Sequence, residues 1–164
     1  LPRWEDSRSS SGFNYRMNEM QGAVGLAQLK KLDYVVKAQR ENAKTIEEQI
    51  VNLPIKMRFI PKGSFETSDA LVFFVENHST ALRCRDALLE VGIGTKILPE
   101  AITWHFAGTW NHMPELANQY SGRLDKAFPN SLDLLNSAVS IPIAINMPRD
   151  FQKKVSQALT KILK

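Results

Sequence analysis

The chain has 164 residues, of which 43% are hydrophobic and 23% are charged, and its formal net charge is +4. This length supports one domain with a hydrophobic core but is too short for two full domains. No apolar run approaches the roughly 18 residues of a transmembrane helix, and no apolar stretch near Leu1 is typical of a signal peptide, so we expect a cytoplasmic protein with no membrane partner.

The positive charge does not favour a nucleic-acid partner. Basic and acidic residues alternate between Lys37 and Glu48, which is typical of a solvated helix face rather than a basic patch. The lysines near the C-terminus lie where cations stabilise the negative end of a helix dipole: Lys153, Lys154, Lys161 and Lys164. We therefore expect no binding to nucleic acid.

The first predicted elements are an arm and a long helix. Residues 1–17 are polar and rich in serine, which indicates a loop or an ordered arm. Asn18 followed by Gln21 forms a capping-box pattern, from which we predict one interdomain helix over 18–51, roughly 50 Å long at 1.5 Å per residue. Its apolar residues recur at spacings of three, four and seven and predict one buried stripe: Leu29, Leu32, Val36, Ala43, Ile46 and Ile50.

Gly22 and Gly25 are unusual in the interior of that helix, where each glycine costs about 1 kcal/mol relative to alanine. With Ala23 and Ala27 they form a strip of small side chains. We expect the cost to be offset by close approach of another backbone, from a second helix or a second subunit.

Residues 52–164 predict a small α/β domain. The run LVFFVE over 71–76 predicts a central strand. Ser79 is the predicted cap of a helix that ends at Gly92, and a second strand is predicted over 93–98. This strand–helix–strand order predicts a crossover unit, which would be right-handed if the strands were parallel.

The remaining segments complete an α/β or α+β fold class. Residues 99–112 show no clear period. We predict a helix over 113–128, a third strand over 138–143 and a closing helix that starts at Pro148. The expected architecture is a long interdomain helix followed by a small C-terminal α/β domain.

The run from Gly12 to Asp33, GFNYRMNEMQGAVGLAQLKKLD, closely resembles the G-x-N-Y-R-M…E-x-Q-A-A-x-G-L-A-Q-L-x-x-L-D motif of the DegT/DnrJ/EryC1/StrS family. Members of that family are sugar aminotransferases of fold type I that depend on pyridoxal phosphate. Their Schiff-base lysine lies upstream of this motif, and only eleven residues precede Gly12 here. The resemblance therefore implies the C-terminal part of an enzyme, with no catalytic residue in this chain and no activity by the chain alone.

For the full-length protein the resemblance implies transfer of an amino group, from glutamate, to the ketone of a sugar, with pyridoxal phosphate as cofactor. It also implies a homodimer with shared active sites. The keto-sugar is either linked to a nucleotide or a keto-deoxyoctulosonate of lipopolysaccharide biosynthesis. The run WHFAGTWNHM over 104–113 resembles more closely the family members that act on the second kind of substrate.

Asn14 is the candidate cofactor-binding residue. In the resembled family the asparagine of this motif reaches the cofactor phosphate of the other subunit, and a neutral amide donor suits that contact. The alternative is an Asx-turn that shapes the loop. Arg16 and Tyr15 are candidates for substrate binding, although Arg16 would equally hold main-chain carbonyls and Tyr15 would equally serve in packing.

His105 is the third candidate for substrate binding. Family members carry a histidine after a proline in this loop, where it faces the substrate. Here Pro99 precedes His105 by more than the usual P-x-H spacing, and a packed aromatic loop is the alternative. Trp104 and Trp110 either stack on a sugar or a base, or pack between domains.

The other chemical motifs are absent from the sequence. Cys84 lies on an apolar helix stripe, which predicts a buried inert thiol and agrees with a reducing cytoplasm. There is no C-x-x-C or H-E-x-x-H spacing, so we expect no metal. Two other functional classes stay open, namely a non-catalytic dimerisation or regulatory module and a protein that binds pyridoxal phosphate without transamination.

Overall fold

The computed structural model describes residues 16–94, 102 and 106–164. The chain divides into two units, one that ends at Asp33 and one over Tyr34–Lys164. Within the described residues, no helix combines the length and apolarity needed to cross a membrane.

The first helix, α1, covers Glu19–Leu29 and begins with the predicted capping box. The Asn18 side chain accepts a hydrogen bond from the Gln21 amide at 2.8 Å, and the Gln21 side chain accepts one from the Asn18 amide at 2.9 Å. These two bonds satisfy amides that a helix start leaves without an intrahelical partner.

The single helix predicted over 18–51 is observed as two helices, because the chain turns at Lys30 and Lys31 before α2 begins at Leu32 and runs to Ile50. The Lys31 amide donates to the Gln28 carbonyl at 2.9 Å, a spacing of three residues that tightens the helix end. The interdomain role of this segment stays a prediction.

The buried stripe is confirmed only for α2. Its buried side chains include Val36, Ala43, Ile46 and Ile50, as the spacing predicts. Leu29 and Leu32 belong to the predicted stripe but are 64% and 48% exposed. The described core begins one helical turn later, at Val36.

Within the described residues, the sheet has three antiparallel strands in the order β1–β2–β3: Lys56–Met57, Ala70–Phe74 and Ala138–Pro142. Phe73 pairs with Val139 and Leu71 with Ile141. The predicted central and third strands are thus confirmed to within two residues. The predicted second strand is not observed at Ile93 and Gly94, and the rest of its range lies outside the described residues.

The helix α3 covers His78–Glu90, and its cap differs from the prediction. Asn77, not Ser79, accepts the Thr80 amide at 2.9 Å. The end at Gly92 is as predicted: this glycine has φ +78°, and its amide donates to the Leu89 carbonyl while the Ile93 amide donates to the Leu88 carbonyl.

The single helix predicted over 113–128 is wrong. Two short helices are observed, α4 over Pro114–Gln119 and α5 over Leu124–Ala127, followed by the unpredicted α6 over Pro129–Ser137. Ser121 and Gly122 adopt positive φ values of 52° and 72°, which the interior of a right-handed helix excludes.

The closing helix, α7, covers Phe151–Leu163 and begins three residues after the predicted start at Pro148. Its buried residues are Val155, Ala158 and Leu159. One hydrophobic cluster joins α2, the sheet, α3 and α7, with the fully buried side chains Phe73, Ile46, Ile50, Leu88, Ile141, Leu159 and Val155.

Candidate functional site

Most of the predicted site residues lie outside the part of the chain that the structure describes. These are Asn14, Tyr15, His105 and Trp104. Arg16 is described, and it is exposed just before α1. The cofactor and substrate roles of Asn14, Tyr15, Arg16 and His105 therefore stay predictions.

The start of α1 does not fit the phosphate of pyridoxal phosphate. The Asn18 side chain already accepts the Gln21 amide, and the carboxylate of Glu19 lies in the first turn, where an anion would meet a like charge. The candidate cofactor-binding residue, Asn14, lies outside the described residues, so its role is not tested by this helix start.

The surface of α1 is apolar but uncovered within its own unit. None of its residues is buried, and its exposed large side chains include Met20, Val24, Leu26 and Leu29. A methyl group added at Gly25 would meet no atom within 4 Å, and one at Gly22 would meet only the Met17 sulfur at 3.8 Å. Within the described residues, the backbone that we expected against these glycines is not present.

The segment after His105 is anchored by an aromatic cluster. Phe106 is 4% exposed, and its ring meets the ring of Phe128 edge-on at a centroid distance of 6.4 Å. Phe128 in turn meets Tyr120 at 5.2 Å. Beneath them Leu124 of α5 is fully buried. The periodicity of the sequence did not reveal this cluster, because its aromatic members flank separate short elements.

A 3₁₀ turn over Ala107–Thr109 follows the anchor and leads to Trp110. The Phe106 carbonyl accepts both the Thr109 amide at 3.0 Å and the Thr109 hydroxyl at 2.8 Å. The Trp110 amide donates to the Ala107 carbonyl at 3.0 Å, and Trp110 itself is half-buried. The backbone of this segment is thus held by hydrogen bonds, while the side chain of Trp110 stays partly exposed.

A second feature is a cleft of about 350 Å³ beside α2. The loop between β1 and β2 borders it and is attached to α2 through Arg40, whose guanidinium lies 4.1 Å from the centre of the Phe65 ring and donates to the Glu66 carbonyl at 3.2 Å. Arg58 forms an ion pair with Glu66. Sequence reasoning assigned Arg40 to a solvated face, since its partners are 25 and more positions away.

Cys84 and Asp150 are two described side chains whose surroundings shift the pKa. Burial raises the pKa of the Cys84 thiol to about 11, so this thiol is protonated and inert at neutral pH. A hydrogen bond from Lys154 lowers the pKa of the exposed Asp150, which is a local helix-start contact. In the described ranges, no group of three or more His, Cys, Asp or Glu side chains is placed to hold a metal ion.

Comparison with known proteins agrees with this architecture. The sequence model that describes the DegT/DnrJ/EryC1/StrS aminotransferase family matches residues 2–160 of this chain. Two solved structures share the fold over most of the chain. PseC of Helicobacter pylori, an aminotransferase involved in pseudoaminic acid biosynthesis, has a TM-score of 0.69 and 17% identity over 94% of this chain. DesV of S. venezuelae has a TM-score of 0.70 and 21% identity over 97% of this chain.

Two curated relatives are similar in sequence. GDP-perosamine synthase of Vibrio cholerae is 28% identical over 43% of this chain. UDP-4-amino-4,6-dideoxy-N-acetyl-beta-L-altrosamine transaminase of Campylobacter jejuni is 29% identical over 57% of this chain. The matches cover 23% and 26% of these relatives, and 39% and 40% of the PseC and DesV chains, so this chain corresponds to only part of the proteins it matches.

Proposed function

This chain belongs to the DegT/DnrJ/EryC1/StrS aminotransferase family, and we propose that it is the C-terminal portion of an enzyme that transfers an amino group from glutamate to the ketone of a sugar. The observation that carries the proposal is the family match over 2–160, together with a described fold shared with PseC and DesV. The family depends on pyridoxal phosphate, which supplies the electron sink for amino-group transfer when it is bound.

The names of the relatives support a sugar substrate. GDP-perosamine synthase and the UDP-linked transaminase are both named for nucleotide-linked sugars. For this chain we keep two keto-sugars, a nucleotide-linked one and a keto-deoxyoctulosonate of lipopolysaccharide biosynthesis. The second is favoured by the run WHFAGTWNHM over 104–113, which contains the anchored segment after Phe106.

The residues of this chain have binding roles in the proposal. Asn14 contacts the cofactor phosphate of the partner subunit, and Tyr15, Arg16 and His105 contact the substrate. The Schiff-base lysine lies upstream, so this chain alone does not catalyse the reaction. The proposed assembly is a cytoplasmic homodimer whose subunits share their active sites.

The uncovered apolar surface of α1 supports a role in assembly. A helix with no buried residue and several exposed large apolar side chains is typical of a segment that packs against another body. The same observation favours the alternative function, a non-catalytic dimerisation or regulatory module related to the family. That module would associate but would have no transaminase activity.

The test compares the full-length polypeptide that includes this chain with the chain alone. Each is incubated with pyridoxal phosphate, glutamate and either a nucleotide-linked 4-keto hexose or an 8-oxo derivative of deoxyoctulosonate, and 2-oxoglutarate release is measured. We expect release by the full-length protein with one sugar only, and none by the chain alone. Self-association of the full-length protein without release from any sugar would support the dimerisation module instead.

Variants then test the assigned residues in the full-length protein. Asn14→Ala should weaken cofactor binding, and His105→Ala should raise the KM for the sugar. Lys37→Ala is the control, because Lys37 is an exposed residue of α2 outside the proposed site. Unchanged cofactor affinity in Asn14→Ala would contradict the phosphate role.

A further inference from the structure

The described segment Phe106–Met113 contains one glycine, Gly108, whose missing side chain is required by its surroundings. A Cβ atom built at Gly108 would lie against Cε1 of Phe106 and only 2.5 Å and 2.9 Å from its Cζ and Cδ1 atoms. Real Cβ contacts are never this short, so any side chain at position 108 would displace the Phe106 ring. In contrast, a Cβ at Gly94 would meet no atom within 4 Å.

The Phe106 ring has little room to give way. It is 4% exposed and lies edge-on to Phe128, which also contacts Tyr120. Interiors are close-packed, so a displaced ring shifts the backbone that carries it. That backbone holds the 3₁₀ turn, because the Phe106 carbonyl accepts both the amide and the hydroxyl of Thr109.

We propose that Gly108 and Phe106 are positioning residues that set the place of this segment against the sugar substrate. The proposal rests on the proposed function, in which this part of the chain faces the keto-sugar. The missing Cβ at Gly108 leaves room for the ring of Phe106, and the packed ring fixes the turn that leads to Trp110. Neither residue needs to contact the substrate itself.

The proposal predicts a change in sugar binding rather than a general loss. In the full-length enzyme, Gly108→Ala should raise the KM for the keto-sugar about tenfold, since small misplacements of a positioning element have large effects on rate and binding. The KM for glutamate should stay within about twofold of wild type, because the amino donor does not require this contact with the sugar. Gly94→Ala is the matched control, and we expect it to leave both constants unchanged.

A second substitution separates positioning from mere loss of folding. Phe106→Leu removes the ring that packs against Phe128 and fixes this segment, so this variant should also raise the KM for the sugar while the KM for glutamate stays within about twofold of wild type. Thermal unfolding of all variants is measured alongside. If the two residues had a purely structural role, the substitutions would lower the melting temperature and would not raise the KM for the sugar more than the KM for glutamate.

The outcomes distinguish this inference from the proposed function. A wild-type sugar KM in Gly108→Ala, or equal increases in both KM values, would overturn the positioning role while the aminotransferase assignment stands. Absence of transamination by the wild-type full-length protein would overturn both. Selective loss of sugar affinity in both Gly108→Ala and Phe106→Leu would support both.

Discussion

At the scale of single residues, burial determines the chemistry of Cys84. Its side chain is fully buried in α3, and burial raises the pKa of its thiol to about 11. The unfolded chain releases this proton near the ordinary value of 9.0, so the folded state binds more protons between pH 9 and pH 11. Stability contributed by the protonated thiol is therefore complete below pH 9 and is lost as the pH rises toward 11.

Chemical denaturation of the purified chain at several pH values tests this link. The free energy of unfolding of the wild type should fall between pH 9 and pH 11 more steeply than that of Cys84→Ala. The variant should be less stable at neutral pH, because it leaves a cavity. Parallel pH curves for the two proteins would show that Cys84 does not carry the effect.

Arg40 is a residue whose role depends on partners distant in sequence. Its contacts with the Phe65 ring and the Glu66 carbonyl attach the loop between β1 and β2 to α2. An exposed cation–π contact and a hydrogen bond together contribute on the order of 1 kcal/mol. Loss of that energy increases the open population of the loop about fivefold.

Limited proteolysis with trypsin measures this opening. Arg40→Ala should be cleaved after Lys62 about five times faster than wild type, where cleavage follows the open population. Lys37→Ala removes another cation of α2, with no contact to that loop among the contacts described above, and should leave the rate unchanged. Equal rates in wild type and Arg40→Ala would mean that Arg40 does not hold the loop.

At the scale of elements, the sequence predicts two helix ends correctly and places the cap of one helix at the wrong residue. The capping box at Asn18 and the end at Gly92 were predictable, because each uses side-chain chemistry local to a few residues. The cap of α3 was misplaced by two residues, at Ser79 instead of Asn77, because both residue types cap helices well. Only the observed bond to the Thr80 amide distinguishes them.

Paired substitutions test the cap of α3. Asn77→Ala should lower the free energy of unfolding by about 1 kcal/mol, since it removes the acceptor for both the amide and the hydroxyl of Thr80. Ser79→Ala should change it by less than about 0.5 kcal/mol. A larger loss in Ser79→Ala than in Asn77→Ala, measured by urea denaturation, would restore the sequence-based assignment.

Other elements were not predictable because their determinants are non-local. The helix predicted over 113–128 breaks at Ser121 and Gly122, which have positive φ values. The residue before this break, Tyr120, packs on Phe128, which is eight positions later in the chain. The apolar runs of β2 and β3 were recognisable, but their antiparallel pairing was not. Periodicity indicates which residues of a strand are buried and leaves the direction of its neighbour open.

The candidate site was predictable only through its motif. The motif predicted Asn14, Tyr15 and Arg16, and the first two lie outside the described residues, as does His105. The close approach of the Phe106 ring to Gly108 was not predictable. The sequence over 99–112 has no clear period, so it does not indicate which side chain packs against a glycine there. The structure adds this positioning contact, and the motif supplies the hypothesis about chemistry.

At the scale of the whole molecule, the question is what covers α1. In the chain alone, Gly25 is exposed and a methyl group there would meet no atom within 4 Å. Alanine favours a helix over glycine by about 1 kcal/mol, so Gly25→Ala should increase the helicity and stability of this unit in the chain alone. In a full-length dimer where another backbone approaches the strip formed by Gly22 and Gly25, the same methyl group would obstruct that approach.

The two contexts therefore predict opposite signs for one substitution. Circular dichroism of the chain alone should show greater helix content for Gly25→Ala than for wild type. Sedimentation of the full-length protein should show a weaker dimer for the same variant, whereas Gly94→Ala should sediment like wild type. An unchanged dimer in Gly25→Ala would mean that no backbone packs on this strip, because close helix approach is the one arrangement that an added methyl group obstructs at a surface glycine.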